Sequence, residues 1–195
     1  MKGSMHSVGG SRLGSSVAIL GALTLLLSGC VWMYVDNGLK DVAPEEYHRP
    51  QTPQPVQLSF AFQNKGTTYA PSTNLLRQQV IDSVIASGIF ESVTDHSVPG
   101  GAVLRITIEN VEITHDFLGL NVTDNYDCSL VYQSSPGAPK ISKTVRHRIY
   151  STVGAKRVSP NGTNPQKPDE ALLTVTRQSV ENGLKALLED PAFGK

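Results

Sequence analysis

Ala102-Val103-Leu104-Arg105-Ile106-Thr107-Ile108-Glu109-Asn110-Val111-Glu112-Ile113 is the stretch on which the reading of the fold turns. Leu104, Ile106 and Ile108 stand at every second position, the period of a strand with one buried face. The apolar set then changes parity, to Val111 and Ile113. A single change of face within a strand marks a bulge or sharp bend, here near Glu109 and Asn110. The stretch therefore predicts a long strand, covered on one side and bent once.

The same alternation occurs upstream, where Val56, Leu58, Phe60 and Phe62 define a strand that Gly66 closes. Between the two strands the period switches. Leu76, Val80 and Val84 are four apart, and Leu75, Ile81 and Ile85 widen the stripe, so residues 72–87 read as an amphipathic helix. Ser72 or Thr73 suits its N-cap, and Gly88 follows the last turn, where a left-handed residue is wanted. Residues 88–93 make a short strand, ended by Pro99-Gly100-Gly101. Downstream, residues 122–132 place Tyr126, Cys128, Leu130 and Tyr132 on one face. After the turn at Pro136-Gly137, residues 141–153 place Ile141, Val145, Ile149 and Val153 inward. A polar loop over 154–168 precedes a helix from Asp169 to about Leu188, begun by Pro168 or Asp169 and stopped by Pro191. Its stripe is Leu173, Val180, Leu184, Leu187 and Leu188. The expected class is α+β: a four- to five-stranded, mostly antiparallel sheet with two helices packed on one face.

Ahead of this domain (56–190) lie two segments of different character. Residues 30–55 carry Pro44, Pro50, Pro53 and Pro55 after a short apolar start. Proline fixes φ and removes a donor, so the segment cannot make a helix or a central strand. It reads as a tether; about 25 extended residues at roughly 3.1 Å each could reach on the order of 75 Å. Trp32 and Tyr47 would permit part of it to pack along the domain. The domain is expected to fold from Val56 onward without it. Residues 1–29 combine a weakly basic, acid-free start (Lys2, Arg12) with an apolar run from Val17 to Leu27. These are the parts of a secretory signal peptide, and the run is too short to span a membrane as a helix.

Removing residues 1–29 takes two of the 17 bases and no acid, leaving 15 against 17 and a formal charge of −2. That balance argues against a nucleic-acid binder. Of the two cysteines, Cys128 alone remains if Cys30 is modified, so no disulfide framework is expected. The charges are unevenly spread. From Asp82 to Asp127 there are eight acids and one base, Arg105; from Cys128 to Pro168 there are seven bases and no acid. Arg146 and Arg148 share one strand face with Thr144 and Tyr150. With Lys156 and Arg157 they form a candidate surface for an anionic partner, whether lipid headgroup, glycan or acidic protein. The competing account pairs them with acids on a neighbouring strand, such as Glu109 or Glu112.

Catalysis finds little footing. Cys128, Asp127 and His147 could be cast as nucleophile, base and orienter, but Cys128 is in phase with Tyr126 and Leu130, and a free cysteine usually behaves as a small buried hydrophobe. His48, His96, His115 and His147 are not at metal-ligand spacing. No enzyme, cofactor or metal is expected.

Leu27-Ser28-Gly29-Cys30 resembles the lipobox of bacterial lipoproteins. The resemblance implies cleavage between Gly29 and Cys30, a diacylglycerol on the Cys30 sulfur, and a further acyl chain such as palmitate on the new amino group. Several acyl chains anchor a protein stably where one does not. An Asp directly after the lipidated cysteine would imply retention at the inner membrane. Val31 stands there, so the implied location is the outer membrane, facing the periplasm. The domain, with its helix running into Ser87-Gly88-Ile89-Phe90-Glu91-Ser92-Val93, looks like small Gram-negative envelope lipoproteins. Among them are the lipopolysaccharide-assembly lipoprotein of the outer-membrane translocon and the auxiliary lipoproteins of lipid-transporting ABC systems. That likeness implies a non-catalytic accessory or assembly subunit in envelope lipid transport. Lipoproteins that activate peptidoglycan synthases share comparable pieces, and imply instead a tethered module acting on peptidoglycan or its enzymes.

Overall fold

The computed structural model describes residues 31–35, 39–47, 50, 53–63, 72–115, 121–153 and 166–193. Six strands form one sheet: β1 (Val31–Val35), β2 (Val56–Gln63), β3 (Val93–Thr94), β4 (Ala102–His115), β5 (Asn121–Gln133) and β6 (Ile141–Val153). Two α-helices among the described residues, α1 (Thr73–Ser87) and α2 (Pro168–Leu188), accompany the sheet. The strand order is β1-β6-β5-β4-β2-β3. Pairing is antiparallel from β1 through β4, and β2 runs parallel to both β4 and β3. The α+β class is as expected.

The bend in β4 falls where the parity changed. Asn110 pairs with Tyr126 and Glu112 with Asn125, leaving Val111 as the extra residue. Before the bulge, Leu104, Ile106 and Ile108 face the core; after it, Ile113 is in register with buried Asp124, and Val111 is exposed. α1 buries Leu76, Val80 and Val84, while Leu75 and Ile85 of the wider predicted stripe stand in solvent. Gly88 takes the left-handed cap (φ 64°), its N–H donating to the Ile85 carbonyl at 3.1 Å. The chain then drops Ile89 into the core. The return strand is shorter than expected, two residues at β3.

α2 lies deeper than its large residues suggest. Its buried set includes Ala171, Leu172, Val175, Thr176, Ser179, Val180, Leu184 and Leu187, while Leu173 and Leu188 are only partly covered. Close approach to β5 explains the small residues: a Cβ on Gly183 would fall 2.3 Å from Leu130 Cδ1. At the end of α2, Phe193 packs on Tyr132 (ring centroids 4.8 Å apart) and on Phe90.

The expectation of a free tether over 30–55 is corrected. β1 pairs with β6 along its whole length, Val31 with Val153 through Val35 with Ile149. Met33, Val35, Val42 and Tyr47 are buried in the main core. The prolines lie from Pro44 on, after β1, so they do not oppose an edge strand at 31–35. Between them, residues 39–47 run along the polar side of α2. Asp41 meets Arg177 at 2.9 Å and accepts from Gln178 Nε2 at 2.8 Å; the Lys40 carbonyl accepts from Asn182 at 2.8 Å. The Val42 N–H donates to Glu181 Oε2 (3.2 Å), the Tyr47 hydroxyl to the Glu181 carbonyl (3.4 Å), and Glu46 pairs with Lys185 at 2.6 Å. Residues 31–35 and 39–47 are thus part of the domain.

Candidate functional site

Among the described residues, both helices lie on one face of the sheet and nothing covers the other. On that open face β5 and β6 bring together the charges singled out from the sequence. Arg146 lies opposite Asp127 and forms a fork-to-fork pair with it, Nε to Oδ1 at 2.7 Å and Nη2 to Oδ2 at 2.9 Å. Arg148 donates through Nε to Asn125 Oδ1 (3.1 Å) and through Nη1 to the Tyr150 hydroxyl (3.1 Å). Asn125 in turn donates to Glu112 at 3.2 Å. Cross-strand pairing therefore accounts for Arg146 directly, with Asp127 rather than Glu109 as the acid, and links Arg148 to Glu112 through an amide. The guanidinium of Arg146 remains two-thirds exposed while engaged. Lys156 and Arg157, the other members of the candidate basic surface, lie outside the described residues, as do Gly29 and Cys30 of the cleavage and lipidation site.

The sheet divides the one arrangement that could have been a nucleophile with its base. Cys128 and His147 are buried on the helix-covered face, whereas Asp127 engages Arg146 on the open face. Strand alternation enforces this division, because adjacent residues point to opposite sides. Burial pushes the Cys128 thiol up to about 12, with the neighbouring Asp127 charge adding to the effect. A thiol held there is protonated and unreactive at neutral pH.

Two features were not read from the sequence. The first is a row of polar side chains on the covered face, Asn110, Tyr126 and His147, in register across β4, β5 and β6. The parity change at Asn110 was its only signal. The second is a cleft of about 390 Å³ between α1 and the β2–β3 edge, lined by Leu58, Phe60, Arg77, Ile81, Asp95 and His96 among others. There Arg77 bonds Asp95 at 3.1 Å and, with His96, lowers that carboxyl below its ordinary pKa. Among the described residues no cluster of His, Cys, Asp or Glu could hold a metal, and no helix is long and apolar enough to cross a membrane.

The chain is thus an α+β protein in which, among the described residues, one sheet face is covered and the other open. No protein-family model and no curated protein sequence matches it. Solved structures of related outline include the PelC dodecamer from Paraburkholderia phytofirmans, 12% identical over 84% of this chain and 98% of that one, with a TM-score of 0.36. The rare lipoprotein B from Shewanella oneidensis is 13% identical over 67% and 92%, TM-score 0.37. A minor lipoprotein from Acinetobacter baumannii is 11% identical over 73% and 93%, TM-score 0.36. At such scores the likeness is one of general outline.

Proposed function

We propose that the chain is a lipid-anchored protein of the bacterial envelope, held through Cys30 in the outer membrane and facing the periplasm. It acts without catalysis, as an accessory or assembly subunit in envelope lipid transport or outer-membrane assembly. The observation that carries this reading is Leu27-Ser28-Gly29-Cys30 directly behind the apolar run from Val17. The burial of Cys128 and its separation from Asp127 support a non-catalytic role. The open face, with two partly solvent-facing arginines, offers a docking surface for an envelope protein, anionic lipid or glycan. The reading as a tethered module reaching toward peptidoglycan loses support, because β1 and residues 39–47 take up the length that such a reach needs.

Replacing Cys30 by Ala tests the anchor. The variant should accumulate as a precursor that retains residues 1–29 and incorporates no labelled fatty acid, in cells with a more permeable outer membrane. Normal processing to a soluble periplasmic protein would sink the reading.

A further inference from the structure

We infer that the end of the sheet at which β1 begins lies against the leaflet that holds the anchor, with the β5–β6 turn as the opposite pole. This rests on the reading of Cys30 as lipidated. Val31, the next residue, is already in the ladder opposite Val153. A single peptide unit, about 3.8 Å between Cα atoms, therefore separates the lipidated residue from the sheet.

Register sorts the rest of the molecule between the two poles. Asn121 lies opposite Thr152, and Val122 opposite His115, so β6 and β4 end, and β5 begins, where β1 begins. Gln166, two residues before α2, exchanges backbone hydrogen bonds with Met33 at 2.9 and 3.1 Å, which brings the start of α2 to the same end. The far pole gathers the 134–140 turn, the start of β4 (Val103 opposite Gln133) and Phe193 on Tyr132. A strand of 13 residues at about 3.3 Å each sets the poles roughly 40 Å apart.

β1 cannot act as a spacer. It is held by β6 on one side and by Gln166 on the other, with Met33 and Val35 in the core. The segment after it is bonded to α2. The partner of this pole is consequently the headgroup layer of the protein's own leaflet.

The test uses the full lipidated protein in vesicles of phosphatidylethanolamine and phosphatidylglycerol carrying a headgroup nitroxide quencher. A fluorophore is placed on Thr114→Cys or on Ser135→Cys, both exposed, one near each pole. Cys128 is buried and Cys30 is a thioether, so the added thiol is the reactive one. Emission from position 114 should be lost almost entirely, and emission from position 135 retained. Twenty Gly/Ser residues inserted between Cys30 and Val31, an r.m.s. span of about 25 Å, should restore emission at 114. Equal quenching at both positions, stronger quenching at 135, or quenching at 114 that the spacer leaves unchanged would each overturn the inference while leaving the anchor intact. Mass spectrometry of the N-terminal peptide is read on the same samples. Absence of a lipid there would overturn the lipoprotein reading, and this inference with it.

Discussion

The two edges of the sheet are finished in opposite ways. At one, β1 caps β6, and its own outer side is bridged at Met33 by Gln166. At the other, β2 meets β3 at only Val56 and Gln57, and among the described residues Leu58–Gln63 have no partner on that side. The first edge is sealed with apolar side chains and backbone bonds. The second is left beside a cleft whose floor is Leu58, Phe60 and Ile81. Unpaired edges are templates for pairing and are usually guarded by charge or proline; Leu58–Gln63 contain neither. The sealed edge is thus structural, and it is built from residues whose composition suggests a linker.

Deleting residues 31–47 removes the seal, and is the harshest way to break the comparison. Met33, Val35, Val42 and Tyr47 leave the core together, at about 1.5–3 kcal/mol for each buried side chain. The sum is comparable with the whole stability of a typical domain, about 5–15 kcal/mol. The variant lacking residues 31–47 should show no cooperative melt by circular dichroism. An unfolding transition within a few degrees of the full protein would show that the seal is dispensable.

Single truncations sharpen the contrast. Met33→Ala should cost about 2–5 kcal/mol, as for a fully buried side chain. Phe60 is only partly buried at the open edge, so Phe60→Ala should cost less than the roughly 3–5 kcal/mol of a buried aromatic. Denaturant midpoints with unchanged m-values measure both, and a larger loss at Phe60 would invert the comparison.

The smallest effect is a change in local opening with pH. Hydrogen bonds from Gln178 and Arg177 hold Asp41 below its ordinary 3.8, against the opposing pull of burial. The Lys185 ammonium and the Ala43 N–H hold Glu46 below 4.5. A depressed carboxyl contributes stability that is present above its unfolded value and lost as pH falls through its folded value. Lys185 is raised above 10.5 by Glu46, so its contribution is present below 10.5 and lost as pH climbs through the raised value. Hydrogen-exchange protection of the Ala43 amide, bonded to Glu46 at 3.0 Å, should hold between pH 5 and 10 (about half a unit inside these ordinary values) and be lost as pH falls through the lowered carboxyl values. The β4–β5 ladder should keep its protection there. Uniform loss across both would mean that residues 39–47 do not open on their own.

Alternation and periodicity made most of the sheet and α1 legible. Val56–Phe62, the shift at Val111, the Leu76–Val80–Val84 stripe and the left-handed Gly88 all follow from local chemistry. α2 was found with Val180, Leu184 and Leu187 on its buried face, but the small residues that share that face, Ala171, Ser179 and Gly183, carry no hydrophobic signal and were not foreseen. β1 was missed as a strand for a different reason. Five apolar residues ahead of a proline-rich run have no local marker of pairing, and their partner, β6, lies at the other end of the domain. The basic strand was placed on the correct face. Its acid partner was not foreseen, since only the register of β5 against β6 sets Asp127 opposite Arg146.

The pairing of the first strand with the last also orders events as the chain is made. Synthesis delivers residues 31–35 well before residues 141–153. Until β6 arrives, β1 lacks its strand partner and presents an unpaired edge. After docking, residue 30 is one peptide unit from a hydrogen-bonded ladder. On the anchor proposed above, processing and lipid attachment would therefore belong to the interval before the sheet closes, and closure would draw the domain down onto its anchor.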